Sequence, residues 1–271
     1  MPRKVPKAPT ARDGEDGALV SEIIKDRAVM LKTFPYGESS VVAVALTRSH
    51  GKVRFLAKGA RSPKSALQGS LMTGSVSDVV FYFRPERGLQ LLKEIDTAGT
   101  FEAADGDFER LCLFQAGLEI IDCSVVERES DERVFDMIES FMRLLPGAAD
   151  PWALFYALEI NILKLAGSFP ATAACERCRR SLENEAFTVE AASGLVSCSA
   201  CGTAKGRMLS RGAAALVARI DRLGFEGARG TKLSRGERRE IGQLIHQFFV
   251  THVDGYRLPH ALRLCKEVSG P

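Results

Sequence analysis

The sequence predicts an α+β protein in which a five-stranded OB-fold barrel precedes an α-helical domain with an inserted zinc-knuckle element of four cysteines. Hydrophobic residues repeat with a period of two between Ser21 and Ala98 and with a helical period after Gly99, and two Cys-x-x-Cys pairs interrupt the helical pattern. At 271 residues the chain is long enough for two domains. We expect a disordered tail at 1–20, a nucleic-acid-binding barrel at 21–98, a helical domain at 99–271 and the zinc element at about 170–210.

Five short β-type runs fill the first part of the chain after the tail. In the third run Val53, Phe55 and Ala57 alternate with basic residues, which predicts one buried face and one exposed face. The predicted strands are Ile23–Lys32, Val41–Leu46, Lys52–Lys58, Val76–Phe83 and Leu89–Ile95. Five strands of this size suit a small closed barrel. The segment Ser62–Leu71 interrupts the strands, and we expect a short helix there.

Helical spacing of apolar residues follows Gly99. Three helices are predicted before the cysteines and two long ones after them, with a further short helix from Pro259 to about Lys266. Ser234 and Glu237 have the spacing of a capping box that opens the second long helix. The predicted long helices cover 108–121, 134–145, 152–165, 213–223 and 237–253.

Four cysteines carry the strongest chemical signal in the chain. Two Cys-x-x-Cys pairs bring four thiolates to one point and complete the tetrahedral coordination of Zn²⁺, which predicts one structural zinc ion. Its predicted ligands are Cys175, Cys178, Cys198 and Cys201. The alternatives are two redox pairs or four incidental thiols, but redox pairs normally occur singly on a βαβ unit. The remaining Cys112, Cys123 and Cys265 lie in apolar helical contexts, so we expect buried thiols and a reducing cytoplasm.

The net charge of +3 is distributed unevenly. Residues 25–93 have a balance of +8, residues 94–172 of −11 and residues 173–271 of +6, which suggests different partners for different segments. Six cations fall within seventeen residues of the predicted barrel with no acid among them, a pattern that favours binding to a phosphate backbone over a merely solvated face. These candidate DNA-binding residues are Arg48, Lys52, Arg54, Lys58, Arg61 and Lys64. Phe34, Tyr36 and Tyr82 are candidates for base stacking, although aromatic residues of small barrels more often belong to the core.

Motifs of catalysis and membrane insertion are missing from the sequence. The segment Gly59–Ser65 fails as a phosphate-binding loop because Lys64 stands where such a loop needs glycine. The four histidines form no metal-protease pattern, and no nucleophile elbow occurs, so no enzyme is expected. The sequence has no run of about 18 apolar residues, so no transmembrane helix is expected. Residues 1–20 lack the apolar stretch of a signal peptide.

Several blocks in fixed order resemble the RecO family of bacterial DNA repair proteins. In the barrel region they are Leu31–Ser40, Leu46–Arg48, Gly51, Ala57–Arg61 and Lys64–Ser65, and around the cysteines they are Gly167–Pro170, Gly194–Val196 and Leu209–Ser210. The resemblance covers about residues 21–270. Ser193 stands where the family usually has a second glycine.

The resemblance implies a recombination mediator without nucleotide hydrolysis. Such a protein binds single- and double-stranded DNA, anneals complementary strands and works with RecR. It recognises strands coated by single-strand DNA-binding protein, through the acidic C-terminal tail of that protein, and helps RecA replace the coat in the RecF pathway. Two alternatives remain open from the residues alone: an OB-fold and zinc protein that binds RNA, and a zinc enzyme with one open coordination position.

Overall fold

A computed structural model describes residues 21–63, 65, 67, 69–101 and 107–269, with side chains to Cys265. Five strands close a barrel in the order β1-β2-β3-β5-β4, the strand order of an OB-like fold. Their bounds are β1 Glu22–Tyr36, β2 Ser40–Thr47, β3 Gly51–Ala57, β4 Ser75–Phe83 and β5 Gln90–Thr100. The predicted barrel is therefore confirmed, and β1 and β5 run several residues further than predicted.

The barrel interior is a hydrophobic core of its own. Val53, Phe55 and Ala57 point inward as their alternation predicts, and the rings of Phe55 and Phe81 lie 5.0 Å apart at its centre. The alternate residues of β3, Lys52 and Arg54, face outward. Because its interior packs without help from the helices, the barrel has an independent source of stability.

Seven helices follow in the described part of the chain. Their bounds are α1 Phe108–Ser124, α2 Glu132–Leu144, α3 Pro151–Leu165, α4 Arg211–Leu223, α5 Phe225–Ala228, α6 Arg235–His252 and α7 His260–Ser269. The capping box at α6 is confirmed, since Ser234 accepts the Glu237 N–H and Glu237 accepts the Ser234 N–H. The single turn α5 and a 3₁₀ turn at Leu145–Gly147 have no counterpart in the prediction.

The cysteine segment adds a small sheet that periodicity does not predict. It contains β6 Phe187–Glu190, β7 Leu195–Cys198 and β8 Arg207–Leu209 in the order β7-β6-β8. Phe187, Val189 and Val196 from this sheet join the hydrophobic core of the helical domain. The element is thereby anchored to the helices by apolar packing.

The barrel and the helices meet over a second, shared core. Val29, Leu31, Val44 and Leu46 on the outer face of the barrel belong to the same apolar cluster as Leu113 of α1. Two glycines with positive φ make the approach possible. A Cβ at Gly74 would lie 2.3 Å from the Phe114 ring, and one at Gly51 would lie 2.2 Å from the Glu129 carbonyl oxygen.

Two predictions from the sequence are wrong, and a third concerns residues that the structure does not describe. The helix expected at Ser62–Leu71 is wrong, because the described residues there form turns. Cys112 and Cys265 are buried, but Cys123 near the end of α1 is exposed, so the expected burial of that thiol is wrong. The tail at 1–20 and the candidate Lys64 lie outside the described residues.

Within the described chain, the helices are too short or too polar to cross a bilayer.

Candidate metal centre and nucleic-acid interface

The two Cys-x-x-Cys pairs converge on one point. The sulfur atoms of Cys175, Cys178, Cys198 and Cys201 all lie within 4.8 Å of one another. The Sγ atoms of Cys178 and Cys198 are 3.8 Å apart, which is the edge length of about 3.8 Å that a tetrahedron with bonds of about 2.3 Å requires. The four cysteines can therefore hold a metal ion, and four protein ligands fill a tetrahedral site and leave no position for water.

Tight backbone turns present the sulfurs. Arg179 adopts a positive φ of 62° directly after Cys178, and its N–H donates to the Cys175 carbonyl oxygen at 2.8 Å. In the second turn the N–H of Cys201 and that of Gly202 both donate to the Cys198 carbonyl oxygen. Each turn reverses the backbone within a few residues, which aims the two cysteine side chains of the pair at the same point.

The thiols of this cluster differ in acidity because of their hydrogen bonds. Backbone N–H groups of Cys178 and Cys198 lower the pKa of Cys175 to about 6, and the N–H of Cys201 lowers the pKa of Cys198. Hydrogen bonding to the Cys198 and Cys178 sulfurs raises the pKa of Cys201 to about 12. Backbone N–H groups aimed at sulfur stabilise thiolates, the form that a metal ion binds.

The barrel cations divide into two groups. In the first group the side chains form ion pairs with acids of α1, α2 and the loop between them. These pairs are Arg27–Glu139 at 3.0 Å, Lys32–Asp122 at 2.6 Å, Arg48–Asp136 at 3.0 Å, Lys52–Asp122 at 3.5 Å, and Arg54 with Glu127. The Lys52 ammonium also donates to the Asp122 carbonyl oxygen at 2.6 Å, and its side chain is only 12% exposed. Part of the charge asymmetry along the chain thus joins the two domains to each other.

The second group lies at the end of the barrel where β3 finishes. Lys58 and Arg61 follow β3, and the Arg61 N–H donates to Ser39 in the β1–β2 turn at 2.8 Å. Arg84 and Arg87 lie in the β4–β5 loop, and with Lys58 and Tyr82 they line a cavity of about 380 Å³. Among the described residues, no carboxylate pairs with any of these four cations.

The β4–β5 loop is held in place from both domains. The buried Gln90 side chain accepts the Arg84 N–H at 2.8 Å and donates to the Arg87 carbonyl oxygen at 2.6 Å. From the helical domain, Arg128 donates to the carbonyl oxygens of Pro85 and Arg87. The guanidinium groups of Arg84 and Arg87 therefore start from a fixed backbone, which lowers the entropy lost when they bind an anion.

Comparison with known proteins decides the family. The family model described as "Recombination protein O N terminal" matches residues 21–101, and "Recombination protein O C terminal" matches residues 105–261. The chain belongs to the RecO family. Members of the RecO family act in DNA repair and recombination, so the barrel, the helices and the four cysteines described above are parts of a protein with that role.

Relatives match over nearly their full lengths. The DNA repair protein RecO of Exiguobacterium sp. is 28% identical over 232 residues, which cover 86% of this chain and 90% of the relative. The RecO protein of Anaeromyxobacter dehalogenans is 27% identical over 248 residues, which cover 91% and 97%. The RecO protein of Moorella thermoacetica is 25% identical over 235 residues, which cover 86% and 87%.

Sequence patterns do not single out two residues of this candidate interface. Arg84 and Arg87 lie close to Pro85 in a segment that has the pattern of a simple turn, and they come about twenty residues after the run of six cations. Only the parallel pairing of β3 with β5 brings their loop beside Lys58. The predicted fold nevertheless points to these two arginines, because in OB-folds the β4–β5 loop commonly contacts nucleic acid.

Proposed function

We propose that the protein is a recombination mediator that binds single- and double-stranded DNA, anneals complementary strands and helps load a recombinase. The observation that carries the proposal is the set of four cations without carboxylate partners among the described residues, at the loop end of an OB-like barrel in a chain of the RecO family. A one-sided basic surface on such a barrel suits a phosphate backbone.

The proposed DNA contacts are the six cations predicted from the sequence together with Arg84 and Arg87. We assign the main share to Lys58, Arg61, Arg84 and Arg87, because ion pairs with the helical domain occupy Arg48, Lys52 and Arg54. Lys64 remains in the proposal on the basis of its position in the sequence.

The bound metal in this proposal is one structural Zn²⁺. Four thiolates favour zinc over hard cations such as Mg²⁺, which prefer oxygen ligands. A filled coordination sphere supports a fold and offers no position for a substrate, so the proposed role excludes hydrolysis at the metal. The proposed partners are RecR, the acidic tail of single-strand DNA-binding protein, and RecA with RecF in the same pathway, all in the cytoplasm.

The test is DNA binding and annealing by charge-reversed protein. We expect Lys58→Glu with Arg84→Glu to weaken binding to both single strands and duplexes. The log–log salt dependence should flatten by roughly 0.7–0.9 for each phosphate that the variant no longer neutralises. Annealing of complementary strands precoated with single-strand DNA-binding protein should proceed without ATP and should slow in this variant. Arg229→Glu, at the remote end of α5, is the control.

Two results would contradict the proposal. The first is unchanged affinity and salt dependence in the double variant, which would mean that this end of the barrel is only solvated. The second is ATP-stimulated turnover by the purified protein. Tighter binding to RNA than to DNA of equal length would favour the RNA-binding alternative.

A further inference from the structure

An apolar row crosses the outer face of the barrel beside Lys58, Arg61, Arg84 and Arg87. The strand register places six residues next to one another, one from each strand and a second from β1, which contributes both ends. They are, in order, Phe34, Val42, Leu56, Leu91, Tyr82 and Ile23. These residues lie on the outside, because the inner positions of β3 belong to Val53, Phe55 and Ala57.

The row borders a covered surface and enters a charged cavity. Next to its β1, β2 and β3 members lie Lys32, Val44 and Arg54, which contact the helical domain. Further along the row, Leu56, Leu91 and Tyr82 line the same cavity as Lys58, Arg84 and Arg87.

Two aromatic rings of this row reach solvent. Phe34 is 44% exposed, and Tyr82 is half-buried in the wall of the cavity, while Val42 between them on the neighbouring strand is buried. Exposed apolar residues are ordinary when they are scattered, but several of them on adjacent strands beside a group of cations indicate a binding site.

We propose that this row is a stacking platform for unpaired bases, on which Phe34 and Tyr82 contact base faces while Lys58, Arg84 and Arg87 bind the phosphates. The inference deepens the proposed function, on which it rests, by assigning the preference for single strands to particular side chains. Four steps between neighbouring strands, at about 4.8 Å each, separate Phe34 from Tyr82, so the two rings lie roughly 19 Å apart along the row and leave room for several nucleotides.

Stacking distinguishes single strands from duplexes. In a duplex the base faces are stacked on each other, and only base edges and phosphates are accessible, so an aromatic side chain gains contact with a face only where the strand is unpaired. The cations should therefore bind both single strands and duplexes, whereas the apolar row should bind only single strands. An apolar protein segment is the alternative occupant. The cavity that the row enters favours a polyanion, because among the described residues Lys58, Arg84 and Arg87 line it and no acidic side chain does.

The test compares three fluorescent ligands of equal length: a thymidine single strand, a duplex, and a single strand whose central nucleotides are abasic. Phe34→Leu and Tyr82→Leu keep apolar bulk while removing the rings, so the barrel should remain folded, which thermal unfolding checks. Phe108→Leu is the matched control, because Phe108 is 40% exposed on α1, away from the row.

We expect each substitution in the row to weaken single-strand binding by about 10-fold. Binding to the duplex and to the abasic strand should change by less than about 2-fold, and the control should bind all three ligands as the unaltered protein does. Unchanged single-strand affinity in both variants, or an equal loss on all three ligands, would overturn the inference. Failure of the unaltered protein to bind any DNA would instead refute the proposed function, so the two failures are distinguishable.

Discussion

At the scale of single residues, one ionisable carboxyl group is buried in a mostly apolar environment. Glu159 of α3 is 4% exposed, and nearly all the other buried residues of this helix are apolar. Burial raises the pKa of Glu159 well above its ordinary value. The group is thus protonated in the folded protein at pH values where it is ionised in the unfolded chain.

This raised pKa predicts a loss of stability as pH rises. Between the ordinary pKa of about 4.3 and the higher folded value, the unfolded chain releases a proton that the native protein keeps, so the free energy of unfolding falls by up to about 1.4 kcal/mol per pH unit. Glu159→Gln should remove this slope and make the protein more stable than the unaltered chain at pH 8. Urea unfolding at pH 5.5 and pH 8 measures it, with the exposed Glu183→Gln as control. Equal pH dependence in all three proteins would contradict the assignment.

A second residue-scale prediction concerns the close approach of barrel and helix. Gly74→Ala would combine a φ of +81° with a Cβ placed 2.3 Å from the Phe114 ring, so we expect a loss of about 2–4 kcal/mol in the free energy of unfolding. Gly37→Ala is the matched control, because Gly37 has a φ of +60° and no neighbour within 4 Å. It should lose only about 1 kcal/mol. Equal losses at both positions would show that backbone conformation alone decides the cost.

At the scale of elements, sequence patterns identify long elements and miss short ones. Strands β1 to β5 and the five long helices each repeat their period several times, and the sequence predicts all of them within a few residues of most of their ends. Strands β6 to β8 are three or four residues long, and α5 is four, so none repeats its period often enough to be recognised. The cysteine spacing nevertheless locates the candidate metal centre, because ligand geometry depends on two short turns and not on the sheet around them.

The metal centre gives the element-scale prediction. Cys178→Ser should abolish stoichiometric zinc and expose residues 170–210 to proteolysis and hydrogen exchange, while the barrel, with its separate core, remains protected. Cys123→Ser replaces an exposed thiol outside the cluster and should change neither property. Metal analysis and hydrogen exchange by mass spectrometry supply the measurements. Purified protein without zinc, or with zinc on three cysteines and a water, would contradict a closed structural site.

At the scale of the whole molecule, charge composition alone misleads. The balances of +8 and −11 in adjacent segments suggest separate partners, yet several barrel cations face acids that are distant in the chain. These cations are Arg27, Lys32, Arg48, Lys52 and Arg54, and their partners lie in α1, α2 and the loop between them. No sequence period records such pairings, because they depend on how two finished domains dock. The same docking separates the barrel cations into a paired group and a group open to ligands.

This division predicts that the acidic helices compete with DNA for the barrel. Asp122 holds both Lys32 and Lys52, and Lys32 lies on the same outer face of β1 as Phe34, two residues away. In Asp122→Asn both lysines lose a charged partner, so the free energy of unfolding should fall by about 1 kcal/mol. The exposed Lys32 becomes available to a phosphate, so DNA affinity should rise a few-fold, and the log–log salt slope should steepen by roughly 0.7–0.9.

Fluorescence titrations from about 50 to 200 mM salt, together with urea unfolding, measure both effects on one variant. The control is Glu226→Gln, which breaks an exposed ion pair with Arg229 in the α4–α6 region and should alter neither DNA affinity nor the salt slope. If Asp122→Asn loses stability while its salt slope stays constant, the ion pairs hold the domains together without restraining DNA binding. If both change, the acids of α1 set the number of barrel cations that reach DNA, because a fixed carboxylate at 2.6 Å occupies the lysine that a phosphate would otherwise bind.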